Sequence, residues 1–279
     1  MGWIWSKEAA YVYLLGSMLG SYSCQSVLVA NNHLLPGNAD SIMNGKETVF
    51  FRDCSELLYK SQGIATDGLY IIQPADVQIV VLCIMQDGGW TVIQHITANS
   101  SLDFDRGWED YKFGFGSVLG DHWLGNEYMH QLTQPQGFQK LGIRLVNVEG
   151  DIKWGVYDPV LIESEDSQFR LRLGLYRGSA TDALTRDTEA YVHDNQKFTT
   201  RDRDNDNYIH NCAKLEYEGI AGGGWWYDAC AGANLNRRNV IYWQKDCTKE
   251  TLCKYATMML QSNWNKGYGK RENCQKDEL

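Results

Sequence analysis

The cysteine pattern constrains the fold of this chain more than any other feature. Its eight cysteines are Cys24, Cys54, Cys83, Cys212, Cys230, Cys247, Cys253 and Cys274. None of them form a C-x-x-C pair, so the spacing supports neither a zinc ribbon nor a thioredoxin-like motif. Wide and mixed spacing is typical of disulfides made in an oxidising compartment. We therefore expect a secretory-pathway protein that is held together partly by disulfides.

The N-terminal region agrees with that compartment. Lys7 precedes an apolar run from Ala9 to Gly20, which is too short to span a membrane but suits the core of a signal peptide. Ser21 and Ser23 supply a small-x-small cleavage pattern, which predicts a signal peptide at residues 1–23. The alternative is a buried core strand. No later apolar run approaches ~20 residues, so we expect no membrane insertion of the mature chain.

Two short motifs concern processing in the same pathway. Residues 276–279 read KDEL, an address that a retrieval receptor reads in the endoplasmic reticulum. Together with a signal peptide it predicts retention in the lumen, and secretion is the alternative. Asn99, Ser100 and Ser101 form a sequon, which predicts glycosylation at Asn99 on a surface turn.

The charge balance excludes one class of partner. The net charge is −9, with 35 acidic against 26 basic residues. Nucleic-acid binding needs concentrated positive charge to displace counterions, so no nucleic acid is expected. An anionic membrane surface is equally disfavoured. A local acidic site for a cation remains open.

The chain divides into a leader, one domain and a tail. Residues 24–50 are polar and lack heptads, so they predict a leader or linker without a coiled coil. The domain covers residues 51–265, and a flexible tail covers residues 266–279. Gly, Asp and Asn break the domain into short apolar stretches, and few regular elements are expected within residues 178–240. Strands are predicted at 68–72, 77–84, 90–93, 141–146, 169–173 and 254–260, and a helix at Glu127–Leu132 with Asn126 as its N-cap.

A series of short motifs occurs in a fixed order within this domain. They are Asp53–Glu56, Gly68–Ile72, Cys83, Asp87–Gln94, Phe104, Arg106–Trp108, Tyr111, Gly114–Gly116, Trp123–Glu127, Phe198–Thr200, Asp202–Asp206, Asn211–Ala213, Gly224–Cys230 and Asn234–Asn236. Their order closely resembles the fibrinogen C-terminal (fibrinogen-like) domain family, and the short fibrinogen-like proteins most. The resemblance implies an α+β fold. It has a small N-terminal subdomain, a central antiparallel sheet and an irregular C-terminal subdomain that binds calcium.

The resemblance also implies disulfide pairings. The family pairs the cysteines that correspond to Cys54–Cys83 and Cys212–Cys230, and closing the first loop would stabilise the fold by ~3–4 kcal/mol in the chain-entropy model. Cys247 and Cys253 are placed to close a small loop of their own. Cys24 and Cys274 either pair with each other or join separate chains into a disulfide-linked oligomer. If signal cleavage falls after Cys24, one cysteine is left free or intermolecular.

Three alternating carboxylates, Asp202, Asp204 and Asp206, are the clearest chemical feature. Carboxylates this close repel one another unless a cation neutralises them, and hard oxygen ligands suit calcium rather than zinc. The turn is not an EF-hand, because Asn207 and Ala213 stand where the EF-hand needs Gly and Glu. The alternative is a solvated acidic turn, softened by the neighbouring Arg201 and Arg203.

The resemblance assigns roles to these residues. Asp204 and Asp206 would supply side-chain oxygens to Ca²⁺, and Tyr208 and His210 would supply backbone carbonyls. Asp202 would lie behind these ligands.

The family often binds ligands in a pocket beside the calcium, and this sequence departs from that pocket. Ala231 stands where the family usually has histidine. Trp225, Trp226 and Tyr227 would form the floor, with Asn234 beside them, although both tryptophans are equally explained as buried structural aromatics. The segment between Asn236 and the final strand is short, whereas residues 216–223 are additional. We therefore expect the familiar floor with a rebuilt wall.

These features predict a non-catalytic recognition module that is stabilised by calcium and binds a protein receptor or a glycan or acetylated ligand. A second candidate is a resident protein of the endoplasmic reticulum lumen that binds clients or calcium, which KDEL favours. A third is a hydrolase. The sequence contains no G-x-S-x-G, H-E-x-x-H or P-loop motif, and its six histidines are scattered.

Overall fold

The computed structural model describes residues 50–134, 139–186, 192–230 and 232–263. The signal peptide, nearly all of the leader, the tail with KDEL, and the positions Cys24, Ala231 and Cys274 lie outside these ranges. In the described part of the chain, no helix is both long enough and apolar enough to cross a membrane.

The described residues combine a large antiparallel sheet with a few short helices, which is the predicted α+β fold. The helices are α1 (Cys54–Lys60), α2 (Trp108–Phe113) and α3 (Asn126–Thr133). The strands are β1 (Gly68–Ile72), β2 (Ile79–Ile84), β3 (Trp90–Thr97), β4 (Phe115–Gly116), β5 (His122–Trp123), β6 (Gln139–Asn147), β7 (Ile152–Ile162), β8 (Leu171–Gly178), β9 (Glu216–Tyr217), β10 (Ile220–Ala221), β11 (Ala233–Asn234), β12 (Tyr242–Trp243) and β13 (Cys253–Ser262).

The last strand occupies the centre of the sheet. The order is β1-β2-β3-β13-β6-β7-β8, with β5 joining β3 to β4. Strand β13 pairs antiparallel with both β3 and β6, and its five consecutive residues Ala256–Leu260 are all buried. A strand buried on both faces is typical of the centre of a sheet, where neighbouring elements cover it on either side.

The N-terminus of α3 differs from the prediction. Its N-cap is Gly125, and Asn126 is the first helical residue, so the N-cap prediction was wrong. Gly125 has φ +120°, and a Cβ there would come within 2.9 Å of the Lys112 carbonyl oxygen. Only glycine fits this close passage between α2 and α3. The Asn126 side chain instead accepts a hydrogen bond from Trp123 Nε1 at 3.0 Å.

Two strand predictions also need correction. Phe169 lies outside β8 because its φ of 47° is left-handed; strand pairing begins at Leu171. Strand β7 was not predicted, since Gly155 and Pro159 suggest breaks in the sequence. Pairing with β8 skips Pro159, so the missing N–H of that residue costs no ladder hydrogen bond.

A cluster of buried aromatic rings joins the sheet to the irregular C-terminal region. Phe198 contacts Tyr111, Trp123 and Trp226 at ring-centroid distances of 5.2, 5.6 and 5.1 Å. Trp108 stacks on Phe169 at 5.5 Å. Edge-to-face and offset contacts of this type add to the large apolar area that such rings bury. The cluster therefore anchors the segment that leads into the aspartate-rich turn.

Three disulfides lie within the described residues. They are Cys54–Cys83, Cys212–Cys230 and Cys247–Cys253, the three pairs expected from the sequence. Cys212–Cys230 lies in the irregular region, and Cys247–Cys253 joins that region to the first residue of β13.

Candidate calcium site and ligand surface

The aspartate turn, residues 204–207, is fixed to the aromatic cluster by short-range hydrogen bonds. The Asn205 side chain donates to the Phe198 carbonyl at 2.8 Å, and the Asn205 backbone N–H donates to Thr199 Oγ1 at 3.1 Å. Thr199 in turn pairs with Trp225 in an isolated β-bridge. The turn is therefore held on its buried side, while Asp204 is exposed.

Asp206 is oriented by the backbone that follows it. Its carboxylate accepts the Tyr208 N–H at 3.0 Å and the Cys212 N–H at 2.9 Å. Partial burial, together with repulsion from Asp204, raises the pKa of Asp206 to about 6. The two backbone hydrogen bonds oppose this shift but do not cancel it. Two neighbouring carboxylates thus share one turn without sufficient positive charge.

The nearby arginines do not supply that charge. Arg203 lies 4.0 Å above the Trp108 ring and 3.6 Å from Glu165 Oε1. Arg201 lies 3.6 Å from Asp105 Oδ2. Both guanidinium groups therefore have partners other than Asp204 and Asp206, which weakens the interpretation of a self-neutralised acidic turn.

Oxygen donors suited to a hard cation are present beside the pair. Within the described residues, no hydrogen-bond donor reaches the carbonyl oxygens of Tyr208 or His210. The Tyr208 ring packs edge-on to the His210 ring at 6.0 Å. The described residues hold no group of three or more His, Cys, Asp or Glu side chains able to bind a metal. A site here thus needs carbonyls beside the two carboxylates, which is a donor set that calcium accepts.

Asp202 has a structural partner of its own. Its Oδ1 accepts the Trp108 backbone N–H at 2.8 Å and the Thr200 hydroxyl at 2.7 Å. Although partial burial opposes it, these hydrogen bonds lower the pKa of Asp202. Asp202 thereby caps the first turn of α2, whose own N-cap, Gly107, has no side chain. Its placement behind the calcium ligands stays a prediction.

The predicted pocket floor lies in the core. Trp225 and Trp226 are fully buried, as the structural explanation of these residues expects, and Tyr227 is 2% exposed. Asn234 is 7% exposed and donates to both Tyr227 Oη and the Gly222 carbonyl at 2.8 Å. In this conformation these side chains are out of reach of a ligand.

The additional residues include a short hairpin. Strands β9 and β10 form a hairpin whose Glu218–Gly219 turn has φ of 53° and 74°, typical of a two-residue hairpin. Arg237 donates to the Leu215 carbonyl at 3.2 Å and lies 5.9 Å from the Tyr217 ring. Lys249 lies 4.7 Å from the same ring. Two cationic side chains from the segment after Tyr227 therefore contact the hairpin.

The shortened segment before β13 is closed by its disulfide and by a buried carboxylate. Asp246 is 5% exposed, and its Oδ1 lies 2.5 Å from Lys153 Nζ. Its other oxygen accepts the Thr181 N–H. Trp243 Nε1 donates to the Thr181 carbonyl at 2.8 Å. These contacts tie the rebuilt wall to β7.

A polar cleft of about 560 Å³ opens on the side of the aspartate turn, away from the predicted floor residues. Its lining residues are Arg170, Asn195, Gln196, Lys197, Asp204, Asn205, Asp206 and Asn207. Sequence reasoning did not identify it, because Arg170, Lys197 and the turn are separated in the chain and share no motif.

Asn99 is exposed in the turn that follows β3, whereas Ser100 is buried. An exposed turn is accessible to glycosylation, which stays a prediction.

Comparison with known proteins gives a consistent result. The family model for the C-terminal globular domain of fibrinogen β and γ chains matches residues 50–268. Fibrinogen-like protein 1-like protein of Gallus gallus is 41% identical over 207 residues, which cover 72% of this chain and 70% of that protein. Angiopoietin-2 of Mus musculus is 37% identical over 220 residues, which cover 77% of this chain and 41% of that protein.

Solved structures agree with these matches. The fibrinogen-like globe domain of human ANGPTL6 has a TM-score of 0.67 and 34% identity, covering 79% of this chain and 98% of that one. A lamprey fibrin D-dimer, complexed with the peptide ligand Gly-His-Arg-Pro-amide, has a TM-score of 0.69 and 26% identity, covering 99% of this chain and 91% of that one.

Proposed function

Because the chain belongs to the fibrinogen C-terminal domain family, we propose that it is a non-catalytic, calcium-stabilised recognition module of the secretory pathway. It binds a protein or glycan ligand through its C-terminal subdomain. The solved relative that carries a peptide ligand supports a recognition role for this type of domain.

The observation that carries the proposal is the uncompensated pair Asp204 and Asp206. Burial of Asp206, together with repulsion from Asp204, raises the pKa of Asp206 to about 6, so ionisation of both carboxyl groups is disfavoured. Calcium would supply the missing charge, with the two carboxylates and the carbonyls of Tyr208 and His210 as its protein ligands. A bound ion would fix the aspartate turn and the surface around it.

The recognition surface differs from a pocket built on Trp225, Trp226 and Tyr227. Those side chains are buried in the core, and the Trp226 ring packs against Phe198 at a centroid distance of 5.1 Å. The surface offered to a ligand therefore consists of the hairpin, the Cys247–Cys253 loop and the neighbourhood of the aspartate turn. Acetyl-group recognition is correspondingly less favoured than binding of a larger surface.

Retention in the endoplasmic reticulum lumen is the second candidate role. The KDEL sequence at residues 276–279 is the observation that favours it.

The test presents the immobilised domain to a panel of receptor ectodomains and a panel of glycans, in calcium and in EDTA. Asp204→Asn removes one proposed ligand, and Asp166→Asn makes the same change at an exposed position outside the turn. We expect partners that bind both wild type and Asp166→Asn in calcium. The same partners should bind neither of these proteins in EDTA, and they should not bind Asp204→Asn in calcium. Binding that EDTA and Asp204→Asn leave unchanged contradicts the proposal, as does the absence of any calcium-dependent partner in both panels.

A further inference from the structure

The polar cleft has a lining that suits one class of ligand. None of its eight lining side chains is apolar, and four of them are amides: Asn195, Gln196, Asn205 and Asn207. The Asn195 and Gln196 oxygens and the Nδ2 groups of Asn205 and Asn207 are already hydrogen-bonded within the chain. Among the described residues this leaves Asn195 Nδ2 and Gln196 Nε2 as donors, and the Oδ1 atoms of Asn205 and Asn207 as acceptors, for a ligand. A volume of about 560 Å³ falls within the range of small-ligand sites.

The walls of the cleft are held in place before any ligand arrives. Asn207 Nδ2 donates to Gln196 Oε1 at 3.0 Å, which joins the two walls, and to Asp228 Oδ1 outside the lining at 2.9 Å. Arg170, the residue just before β8, donates to the Asn195 carbonyl at 2.7 Å, which connects two lining residues of the opposite wall. A preorganised site loses less conformational entropy on binding.

Two cations face this cleft. No hydrogen bond or ion pair from the described residues engages the Lys197 ammonium. Arg170 lies 3.9 Å from Glu163 at its Nε, so its guanidinium keeps donor capacity for another partner. Asp204 and Asp206 line the same cleft, but among the described residues no ion pair joins either aspartate to Lys197 or Arg170. A calcium ion held by the two aspartates would leave the cations in excess.

We infer that the polar cleft binds an acidic saccharide, a ring with several hydroxyl groups and one carboxylate or sulfate. The amides match neighbouring hydroxyls, and the cations match the anion. A peptide is a poorer fit, because the lining offers no apolar pocket for its side chains. A neutral sugar would lack the charge contribution, and no aromatic ring lines the cleft to stack on it. The inference rests on the proposed calcium site, since calcium neutralises the aspartates.

The test uses the mature full chain, isotopically labelled and titrated by NMR in calcium. The probes are methyl β-D-glucuronide, its neutral counterpart methyl β-D-glucoside, and glucose 6-sulfate, which distinguishes a carboxylate from a sulfate. We expect chemical-shift changes at residues 195–197 and 204–207, with the acidic probes binding more tightly than the glucoside. Lys197→Gln should weaken glucuronide binding about two- to five-fold, as for an exposed ion pair. Lys254→Gln, the same change at an exposed lysine of β13, should leave it unchanged.

An EDTA arm separates this inference from the calcium proposal. Wild type in EDTA should lose its preference for the glucuronide, and Asp204→Asn in EDTA should recover part of it, because the variant removes one opposing charge without a metal. If wild type binds no calcium but Asp204→Asn prefers the glucuronide, the cleft stands and the calcium site falls. If calcium binds but the probes leave these amides unshifted, or if glucuronide and glucoside bind equally, the inference is overturned and the calcium site stands.

Discussion

Replacing Lys153 by methionine tests how the rebuilt wall of the C-terminal subdomain is held. The Lys153 ammonium lies 2.5 Å from Asp246 Oδ1, and the side chains are 48% and 3% exposed, respectively. Methionine keeps the apolar stem of lysine but removes its charge. The variant therefore leaves the Asp246 carboxylate buried, with the Thr181 N–H as its remaining hydrogen-bond partner.

The expected magnitude follows from this asymmetry in burial. Stranding one member of a fully buried pair costs about 3–5 kcal/mol. Because Lys153 is half exposed, we discount the loss to about 2–3 kcal/mol. Asp246→Asn should cost only about 1 kcal/mol, since asparagine still accepts the Thr181 N–H and carries no charge. In the Asp246→Asn background, Lys153→Met should cost less than about 0.5 kcal/mol.

Urea unfolding of the four proteins at neutral pH, in calcium, gives the free energies needed for this double-mutant cycle. Lys254→Met, an exposed lysine in β13, is the matched control and should be close to wild type. If Lys153→Met costs the same in both backgrounds, the ion pair is not coupled, and the reasoning from a stranded charge is refuted.

Three further predictions concern other parts of the chain. Replacing Cys247 and Cys253 together by serine should lower the free energy of unfolding by about 2 kcal/mol, the value expected for so short a loop, as measured in urea without reductant. An unchanged urea midpoint would mean that other contacts already order the loop. Asp202→Ala should cost about 1 kcal/mol by removing the cap on Trp108, while the protein keeps its thermal response to calcium; loss of that response would make Asp202 part of the metal site. Deleting residues 276–279 should shift the protein from cell lysate to medium in mammalian expression; equal secretion of both chains would show that KDEL does not govern retention.

Much of the fold could be predicted because its signals are local or ordered along the chain. The motif order identified the family, and the family match confirms that identification. Strands β1, β3 and β13 follow from short apolar stretches between turn residues. Strand β7 does not, because only its pairing partners show that Pro159 falls where no ladder hydrogen bond is needed.

The candidate site was only partly predictable, since its arrangement depends on contacts distant in sequence. Alternation of Asp204 and Asp206 indicated a cation site, but the bond from Asp202 to the start of α2 joins residues 94 positions apart. Burial of the pocket floor likewise follows from contacts distant in sequence, such as the packing of Trp226 on Trp123. The polar cleft is lined by Arg170, Lys197 and the aspartate turn, which are separated in the chain. No local sequence pattern predicts that they lie together.

The central claim is that Asp204 and Asp206 bind a stabilising calcium ion, and thermal unfolding in calcium and in EDTA tests it most directly. At a calcium concentration about 100-fold above the dissociation constant, binding should add about 2.7 kcal/mol, or roughly 5–10 °C in melting temperature. Asp204→Ala combined with Asp206→Ala should melt in calcium at the temperature that the same variant shows in EDTA. A wild-type protein that melts at the same temperature in calcium and in EDTA would contradict the claim.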